Sequence, residues 1–306
     1  MKKRKLGNSN LMVSELALGC MSLGTDENKA RSIIEAALEE GINYFDTADL
    51  YDFGMNESIV GHSLKNVREN VIIATKVGNR WNENKDGWRW DPSKTYIKEA
   101  VKQSLKRLQT DYIDLYQLHG GTMEDPIDEA VEAFEELKTE GLIKYYGISS
   151  IRPNVIREYV NKSNIVSVMM QYSILDRRPE ETILSMLGDH DISVVARGPL
   201  AKGLLSNKAL EKASQSVIEK GYLDYRFEDL EELINSLKDR LLGRSLTEIA
   251  LQYNLANPTI ASVIAGASSV EQLKENARAV QTDALTSEEV RLIQSLSKAN
   301  QYEQHR

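Results

Sequence analysis

Four residues have side chains suited to proton transfer, and each falls at or just past the end of a short apolar run. Asp46 follows "INYF", Lys76 follows "VIIAT", His119 follows "IDLYQL", and Tyr51 lies five residues beyond Asp46 in "FDTADLYDFG". A phenol beside an ammonium is a proton donor. A free phenol titrates near pH 10, and a lysine about 4 Å away contributes on the order of 4 kcal/mol at an effective dielectric near 20, which stabilises the phenolate left behind. In such a set Asp46 keeps Lys76 charged and oriented, while His119 and Tyr51 hydrogen-bond a substrate carbonyl oxygen. No nucleophile accompanies them, and the four histidines and one cysteine show no zinc-ligand spacing. The chemistry is therefore expected to draw its reducing power from a cofactor. Taken singly, Asp46 can cap a turn, Lys76 can be a solvated rim lysine, His119 a hydrogen-bonded core histidine and Tyr51 a packing residue. Charged side chains at strand ends are costly unless paired, and four on one rim point to a site.

The elements that must position them are legible as eight apolar runs, at 16–19, 42–45, 71–75, 113–118, 143–148, 166–170, 192–196 and 262–265. Segments of helical period lie between them: Ile33, Ile34, Ala37 and Leu38; then Ile97, Ala100, Val101, Ser104, Leu105 and Leu108; then Ile127, Ala130, Val131 and Phe134. Near-continuous apolar strands alternating with amphipathic helices predict an α/β fold with a parallel sheet under helices. Eight units predict a closed (β/α)8 TIM barrel, whose chemistry sits at the C-terminal strand ends. An open dinucleotide-binding sheet would want G-x-G-x-x-G after its first strand, and "LGCMSLGTDE" lacks that spacing. No Pro- or Ser-rich linker divides residues 1–306, which read as one domain. Two stretches exceed a minimal unit. "KVGNRWNENKDGWRWDPSK" reads as a long loop holding all three tryptophans; residues 198 to about 245 carry a long loop and an extra helix with Leu230, Leu233, Ile234 and Leu237 on one face. The last residues, "NQYEQHR", read as frayed.

Composition narrows the partners. The 306 residues are 41% hydrophobic and 27% charged, with a net charge of −8 and a pI near 5.3. That balance offers no basic stripe to nucleic acid. No apolar run approaches the roughly 18 residues that span a bilayer. The basic start Met1-Lys2-Lys3-Arg4-Lys5 is followed by no apolar stretch of about 7–15 residues, as a secretory signal requires. The single cysteine, Cys20, leaves no internal disulfide and fits a reducing compartment. A cytoplasmic protein is expected, monomeric or weakly homo-oligomeric, acting on a small molecule rather than a nucleic acid or membrane.

The same segments resemble the aldo-keto reductases nearly end to end. "RKLGNSNLMVSELALGCMSLG" is similar to that family's N-terminal hairpin and first strand, and "GINYFDTADLYDFGMNESIVG" to its signature around the catalytic Asp and Tyr. "VIIATKVG" carries the matching Lys and "SLKRLQTDYIDLYQLHG" the matching His; "GLIKYYGISS", "MMQYSIL", "GPLAKGLL" and "VIAGASSVEQLKENARAV" resemble the later cofactor segments. The likeness extends to bacterial members with "GASSVEQLKEN" endings and to the β subunits of voltage-gated potassium channels. It implies a barrel with an N-terminal β-hairpin and extra C-terminal helices, NADPH bound across the mouth (NADH more weakly), and hydride transfer to an aldehyde or ketone carbon with Tyr51 as proton donor. Asp46, Tyr51, Lys76 and His119 would form the catalytic tetrad, with Asp46 also near the cofactor. Cys20 and Met21 would lie near the nicotinamide, with Ser149 and Gln171 on its carboxamide. Gly198, Pro199, Leu200, Lys202, Gly203 and Leu204 would wrap the pyrophosphate. Gly266, Ala267, Ser268, Gln272, Glu275 and Asn276 would hold the adenosine phosphate end. There Ser268 with Glu271, or Ser269 with Gln272, reads as a capping box opening a helix, a natural phosphate seat. Tyr51, His119, Trp81 and Trp88 would contact substrate, although the tryptophans could instead cover the outside of the barrel.

Three positions depart from the family pattern. Ser150 stands where many members have asparagine. Arg197 replaces the aromatic residue that stacks on the nicotinamide; a guanidinium can stack on a ring but repels an oxidised nicotinamide, which favours release of NADP+ or tilts the poise toward reduction. Gly266 and Gln272 take the places of a lysine and an arginine on the 2′-phosphate. Each lost charge-assisted bond is worth about 1.5–3 kcal/mol, so weak discrimination against NADH is expected. A reading from another class is an NADP(H)-binding regulatory subunit with little turnover, but no extended arm precedes the barrel segments.

Overall fold

A computed structural model of the chain describes residues 1–208 and 210–306. Strands β1 (Lys3–Lys5) and β2 (Met12–Ser14) pair as an antiparallel hairpin. Then β3 (Leu16–Gly19), α1 (Glu27–Glu39), β4 (Tyr44–Asp46), α2 (Met55–Leu64) and β5 (Ile72–Val77) follow. A second hairpin, β6 (Asn79–Trp81) with β7 (Trp88–Trp90), precedes α3 (Lys94–Leu108), β8 (Ile113–Leu118), α4 (Ile127–Thr139) and β9 (Ile143–Ser149). The chain continues through α5 (Pro153–Lys162), β10 (Ser167–Gln171), α6 (Ile183–Asp189), β11 (Ser193–Arg197), α7 (Gln215–Lys220) and α8 (Phe227–Arg240). It ends with α9 (Leu246–Leu255), β12 (Ile260–Gly266), α10 (Val270–Gln281) and α11 (Ser287–Leu296).

Strands β3, β4, β5, β8, β9, β10, β11 and β12 close in that order into a parallel barrel, the predicted (β/α)8 topology. Two apolar layers hold it. The helices bury one stripe each against the outside of the strands: α1, capped by the Asp26 carboxylate on the N–H groups of Asn28 and Lys29, buries Ala30, Ile33, Ile34 and Ala37. Each isoleucine so buried contributes about 1.5–3 kcal/mol. Inside, Ala17, Tyr44, Ile72, Ala74, Leu115, Met169, Val195 and Ile264 fill the barrel, and Leu6, Leu11 and Val13 of the first hairpin join them as a floor. Gly7 makes that floor possible. Its φ is +51°, and a Cβ there would sit 2.0 Å from the Val166 carbonyl oxygen.

The structure differs from the sequence reading in several places, three of them in the fold itself beyond one-residue shifts at strand ends. Ile42 lies outside the second strand, because its N–H closes α1 onto the Ala37 carbonyl; the strand runs on to include Asp46. The tryptophan-rich stretch is a paired hairpin rather than a loop. The C-terminal residues pack rather than fray. Tyr302 is buried with its ring 5.2 Å from the Arg178 guanidinium, Asn300 Oδ1 accepts the Arg177 N–H at 2.8 Å, and the His305 carbonyl accepts the Asn154 N–H at 2.8 Å. The extra helix α8 buries Leu230, Leu233, Ile234 and Leu237 as expected. No helix among the described residues is long and apolar enough to cross a membrane.

Candidate active site

Strand alternation puts the site inside the barrel. Side chains two apart on a strand share a face, and Tyr44, Ala74, Met169, Val195 and Ile264 all point to the interior. Two residues further on stand Asp46, Lys76, Gln171, Arg197 and Gly266, at the C-terminal ends of the same strands. The interior parity of Leu115 likewise leads through Gln117 to His119, just past β8.

Lys76 is fully buried and directs its ammonium at three acceptors: Asp46 Oδ1 at 2.6 Å, the Thr47 carbonyl at 2.7 Å and the Tyr51 hydroxyl at 3.4 Å. An ammonium has three N–H donors, so this one is saturated and fixed. Burial works to lower its pKa, yet Asp46 and Tyr51 outweigh that and hold it above the ordinary lysine value. Burial also pushes the Asp46 carboxyl up, against the pull of Lys76 and of the Gln117 amide. The consequence for Tyr51 is directional: its oxygen accepts from Lys76, leaving its own proton free to be donated elsewhere. His119 meets Tyr51 edge to face, with ring centroids 5.9 Å apart. Burial first, then Lys76 and Arg197, lower the His119 pKa to about 3, so the ring is neutral and carries one N–H donor.

Tyr51 and His119 open onto a cavity of ≈ 640 Å³, to which Met21, Trp88, Trp90, Ser149 and Arg197 also contribute. Trp81, expected to contact substrate, does not line it. Its ring is held away by the Arg107 guanidinium at 5.2 Å and the edge of Phe53 at 6.3 Å. Trp90 lines it instead, fixed by its indole N–H on Asp125 Oδ1 at 2.9 Å. Cys20 is fully buried, with its sulfur 3.6 Å from the Leu18 carbonyl, while Met21 beside it is 64% exposed. Of that pair, only Met21 has its side chain at the mouth. The sequence reading also missed two buried amides. Gln117 lies across the strand register from Lys76, and Asn56 joins the Thr47 hydroxyl (2.7 Å) to the Cys20 carbonyl (2.8 Å), tying two rim loops together. Gln117 gave one signal, a polar residue interrupting an apolar run.

The remaining rim residues form a continuous edge that suits an extended dinucleotide. After β11, Gly198, Ala201, Lys202 and Gly203 all have positive φ, and a Cβ on Gly203 would meet nothing within 4 Å. The turn is closed by its own backbone bonds, from the Ala201 N–H to the Gly198 carbonyl at 2.9 Å and from the Gly203 N–H to the Leu200 carbonyl at 2.8 Å. Leu204 is buried beneath it. Gln171 accepts from Arg197 at 3.1 Å and donates to Asp176 at 2.9 Å and to the Tyr222 hydroxyl at 3.5 Å, which leaves one lone pair on its side-chain oxygen for a carboxamide. After β12, Ser269 caps α10 by accepting the Gln272 N–H, while the Gln272 carbonyl oxygen accepts from the N–H of exposed Ser268 at 2.9 Å. Of the two capping boxes considered, this is the Ser269–Gln272 one, shifted by one residue on its return bond. Asn276 is buried and donates to the Gly266 carbonyl at 3.4 Å. Glu275 is occupied by the Asn207 amide at 2.8 Å and the Thr247 hydroxyl at 3.2 Å, so it braces the β11 loop against α10. A side chain at position 266 would have to displace Ser22: a Cβ there would stand 2.2 Å from Ser22 Oγ and 3.1 Å from its Cβ. That close approach accounts for glycine where a lysine was looked for.

Fold and site together define a TIM barrel with a tyrosine hydrogen-bonded to a buried lysine at its mouth. Comparison with known proteins places it more narrowly. The Aldo/keto reductase family model matches residues 15–298. The uncharacterized oxidoreductase YqkF of Bacillus subtilis (strain 168) is 62% identical over 306 residues, covering all of both chains. The NADH-specific methylglyoxal reductase of Escherichia coli (strain K12) is 32% identical over 324 aligned positions, covering 98% of this chain and 99% of that one. Among solved structures, aldo-keto reductase AKR11C1 from Bacillus halodurans in its holo form superposes with a TM-score of 0.95 at 62% identity, covering 100% and 99% of the two chains. Its apo form gives 0.86 at 58%, with the same coverage. The chain belongs to the aldo/keto reductase family, a family of oxidoreductases that bind nicotinamide cofactors. The regulatory-subunit reading is not favoured.

Proposed function

We propose that the protein is an NADP(H)-dependent carbonyl reductase of the alcohol dehydrogenase (NADP+) type, a one-domain cytoplasmic enzyme that is monomeric or weakly homo-oligomeric. The observation that carries the reading is the saturated Lys76 ammonium, which takes the Tyr51 oxygen as an acceptor and leaves the phenolic proton for the cavity. Nicotinamide, when bound, supplies the hydride that the substrate carbon receives. Tyr51 gives its proton to the oxygen that becomes the alcohol. Lys76 stabilises the charge left on the phenol oxygen, and Asp46 keeps Lys76 in place. The single N–H of neutral His119 holds the carbonyl oxygen without competing for the proton. Ser149 and Gln171 would hold the carboxamide, residues 198–204 the pyrophosphate and residues 266–276 the adenosine phosphate.

NADPH is the first choice of cofactor, since Lys202 and Lys274 make no ion pair among the described residues and Ser268, six residues before Lys274, is exposed. Glycine at 266, crowded by Ser22, and Gln272 support a second reading in which NADH also serves, as the printed name of the Escherichia coli relative says of that protein. Loss of NADPH absorbance with 4-nitrobenzaldehyde, wild type beside Tyr51→Phe, tests the function. Turnover should fall by about 10²–10⁴-fold while NADPH still binds. Equal turnover in the two proteins would refute Tyr51 as the acid, and binding without turnover of any aldehyde would refute the reductase. The ratio of kcat/KM for NADPH and NADH measures the preference.

A further inference from the structure

The mouth cavity carries a charge opposite to that of the chain as a whole. The protein's net charge is −8, yet the charged side chains lining this cavity are two arginines, Arg152 and Arg197, with no carboxylate in its lining among the described residues; Asp224 and Glu303 share with Arg152 a separate cavity on its other side. Neither makes an ion pair among the described residues, where most buried or half-buried arginines do: Arg68, Arg107, Arg177, Arg178 and Arg244 each hold a carboxylate. Arg152 spends one donor on the Gly121 carbonyl at 2.9 Å. Gly121 is two residues beyond His119, so that guanidinium is tethered within roughly 7 Å of chain from the histidine. Asp125, four residues beyond Gly121, is already engaged: its oxygens accept the Thr122 N–H at 2.7 Å, the Thr122 hydroxyl at 2.9 Å and the Trp90 indole at 2.9 Å. Arg197 donates to Gln171 at 3.1 Å and keeps its other donors. The apolar part of the lining includes Met21, Trp88, Trp90 and Met169.

A half-buried guanidinium with free donors beside an apolar wall is a seat for a planar anion. We propose that Arg152 anchors a carboxylate on the substrate, so that the preferred substrates are short oxo-carboxylic acids. Their carbonyl reaches Tyr51 and His119 while the carboxylate pairs with Arg152, and Arg197 adds attraction from the neighbouring wall. The proposal rests on the reading of this mouth as a carbonyl-reducing site.

The test compares 4-formylbenzoate with its methyl ester, and 4-oxobutanoate with butanal, in wild type, Arg152→Gln and Arg152→Lys. Wild type should favour each acid in kcat/KM by about ten- to a hundredfold, mainly through KM, and added salt should shrink the margin. Arg152→Gln should erase the preference and leave the neutral partners within about twofold, while Arg152→Lys restores part of it. Terephthalate, which cannot be reduced, should bind wild type but not Arg152→Gln, read from the fluorescence of Trp88 and Trp90. An acid-to-ester ratio near one in wild type overturns the proposal, as does an equal loss on both substrates in Arg152→Gln. Glyceraldehyde 3-phosphate preferred over both acids would overturn the carboxylate in favour of a phosphate. If no aldehyde turns over, the reductase reading fails separately, and terephthalate binding alone decides for or against the anion seat.

Discussion

Replacing Lys76 by methionine keeps the volume of the side chain and removes the ammonium, which isolates its charge. The Nζ–Oη separation is 3.4 Å, and at an effective dielectric of 20 a full phenolate there is stabilised by about 5 kcal/mol. Only the part of that charge present in the transition state counts toward rate. A half-transferred proton would draw on about 2.5 kcal/mol, so kcat should fall by roughly 70-fold, rising to about 5,000-fold if transfer is complete. Asp46 acts through Lys76 rather than on the substrate. Hence Lys76→Met with Asp46→Asn should be no slower than Lys76→Met alone, whereas independent contributions would multiply. The single mutant leaves an unpaired buried carboxyl, which costs about 3–5 kcal/mol of stability; the double mutant should regain much of that. The assay is kcat at saturating 4-nitrobenzaldehyde and NADPH, with thermal unfolding of each protein to ensure that folded material is compared. A Lys76→Met enzyme keeping more than about a tenth of wild-type kcat would refute the assignment, and so would a further large loss on adding Asp46→Asn.

Three more outcomes follow from the geometry. The folded pKa of His119, about 3, lies below the ordinary value near 6.5. The unfolded chain therefore binds more protons between those values, and the contribution of His119 to stability is present above about pH 6.5 and is lost as pH falls toward 3; His119→Gln should flatten that part of the denaturation profile, and kcat of wild type should show no step near 6.5 from this residue. Gly61→Ala should cost about 1–3 kcal/mol or more in urea unfolding, because the new Cβ would stand 2.4 Å from the Leu108 carbonyl, which is backbone and cannot swing aside; a loss below about 0.5 kcal/mol would contradict the packing of α2 on α3. Arg197→Tyr should raise the affinity for NADP+ relative to NADPH, measured by titration calorimetry, and an unchanged ratio would remove the repulsion argument.

The barrel was legible because two periods coincide in this chain. Apolar runs of strand length alternate with stripes such as Ile97, Ala100, Val101 and Ser104, and each stripe is buried where it was expected. The rim was legible for a related reason: Asp46, Lys76 and His119 break apolar runs at their C-terminal ends, where only a paired charge or a functional group is tolerated. What could not be read depends on contacts between distant segments. Trp81 and Trp88 are cross-strand partners in one hairpin, yet Arg107 holds one ring outside while the other stays at the mouth. Trp90 enters through Asp125, 35 residues away. Neutral amides such as Asn56 carry no charge penalty to betray them, although Asn56 joins two rim loops. The tail from Asn300 to Arg306 looked polar enough to fray, and one ring, Tyr302, with backbone partners on α5 and beside Arg177, was enough to dock it.

The buried Lys76–Asp46 pair argues for function over stability. Withdrawing two charges from water costs several kcal/mol per ion, and an apolar pair of equal volume is often as stable or more so. The barrel shows that alternative one layer down, where Tyr44 and Ala74 fill the same two strands without charge. A pair kept there needs a reason at the mouth, and the third donor of Lys76 supplies it: with Asp46 and Thr47 satisfying two protons, the remaining one is aimed at Tyr51. If stability were the reason, Lys76→Met with Asp46→Asn would unfold more readily than wild type and lose activity only in proportion. The functional reading requires the reverse, a double mutant that melts close to wild type and yet turns over as slowly as Lys76→Met, roughly 70- to 5,000-fold below wild type.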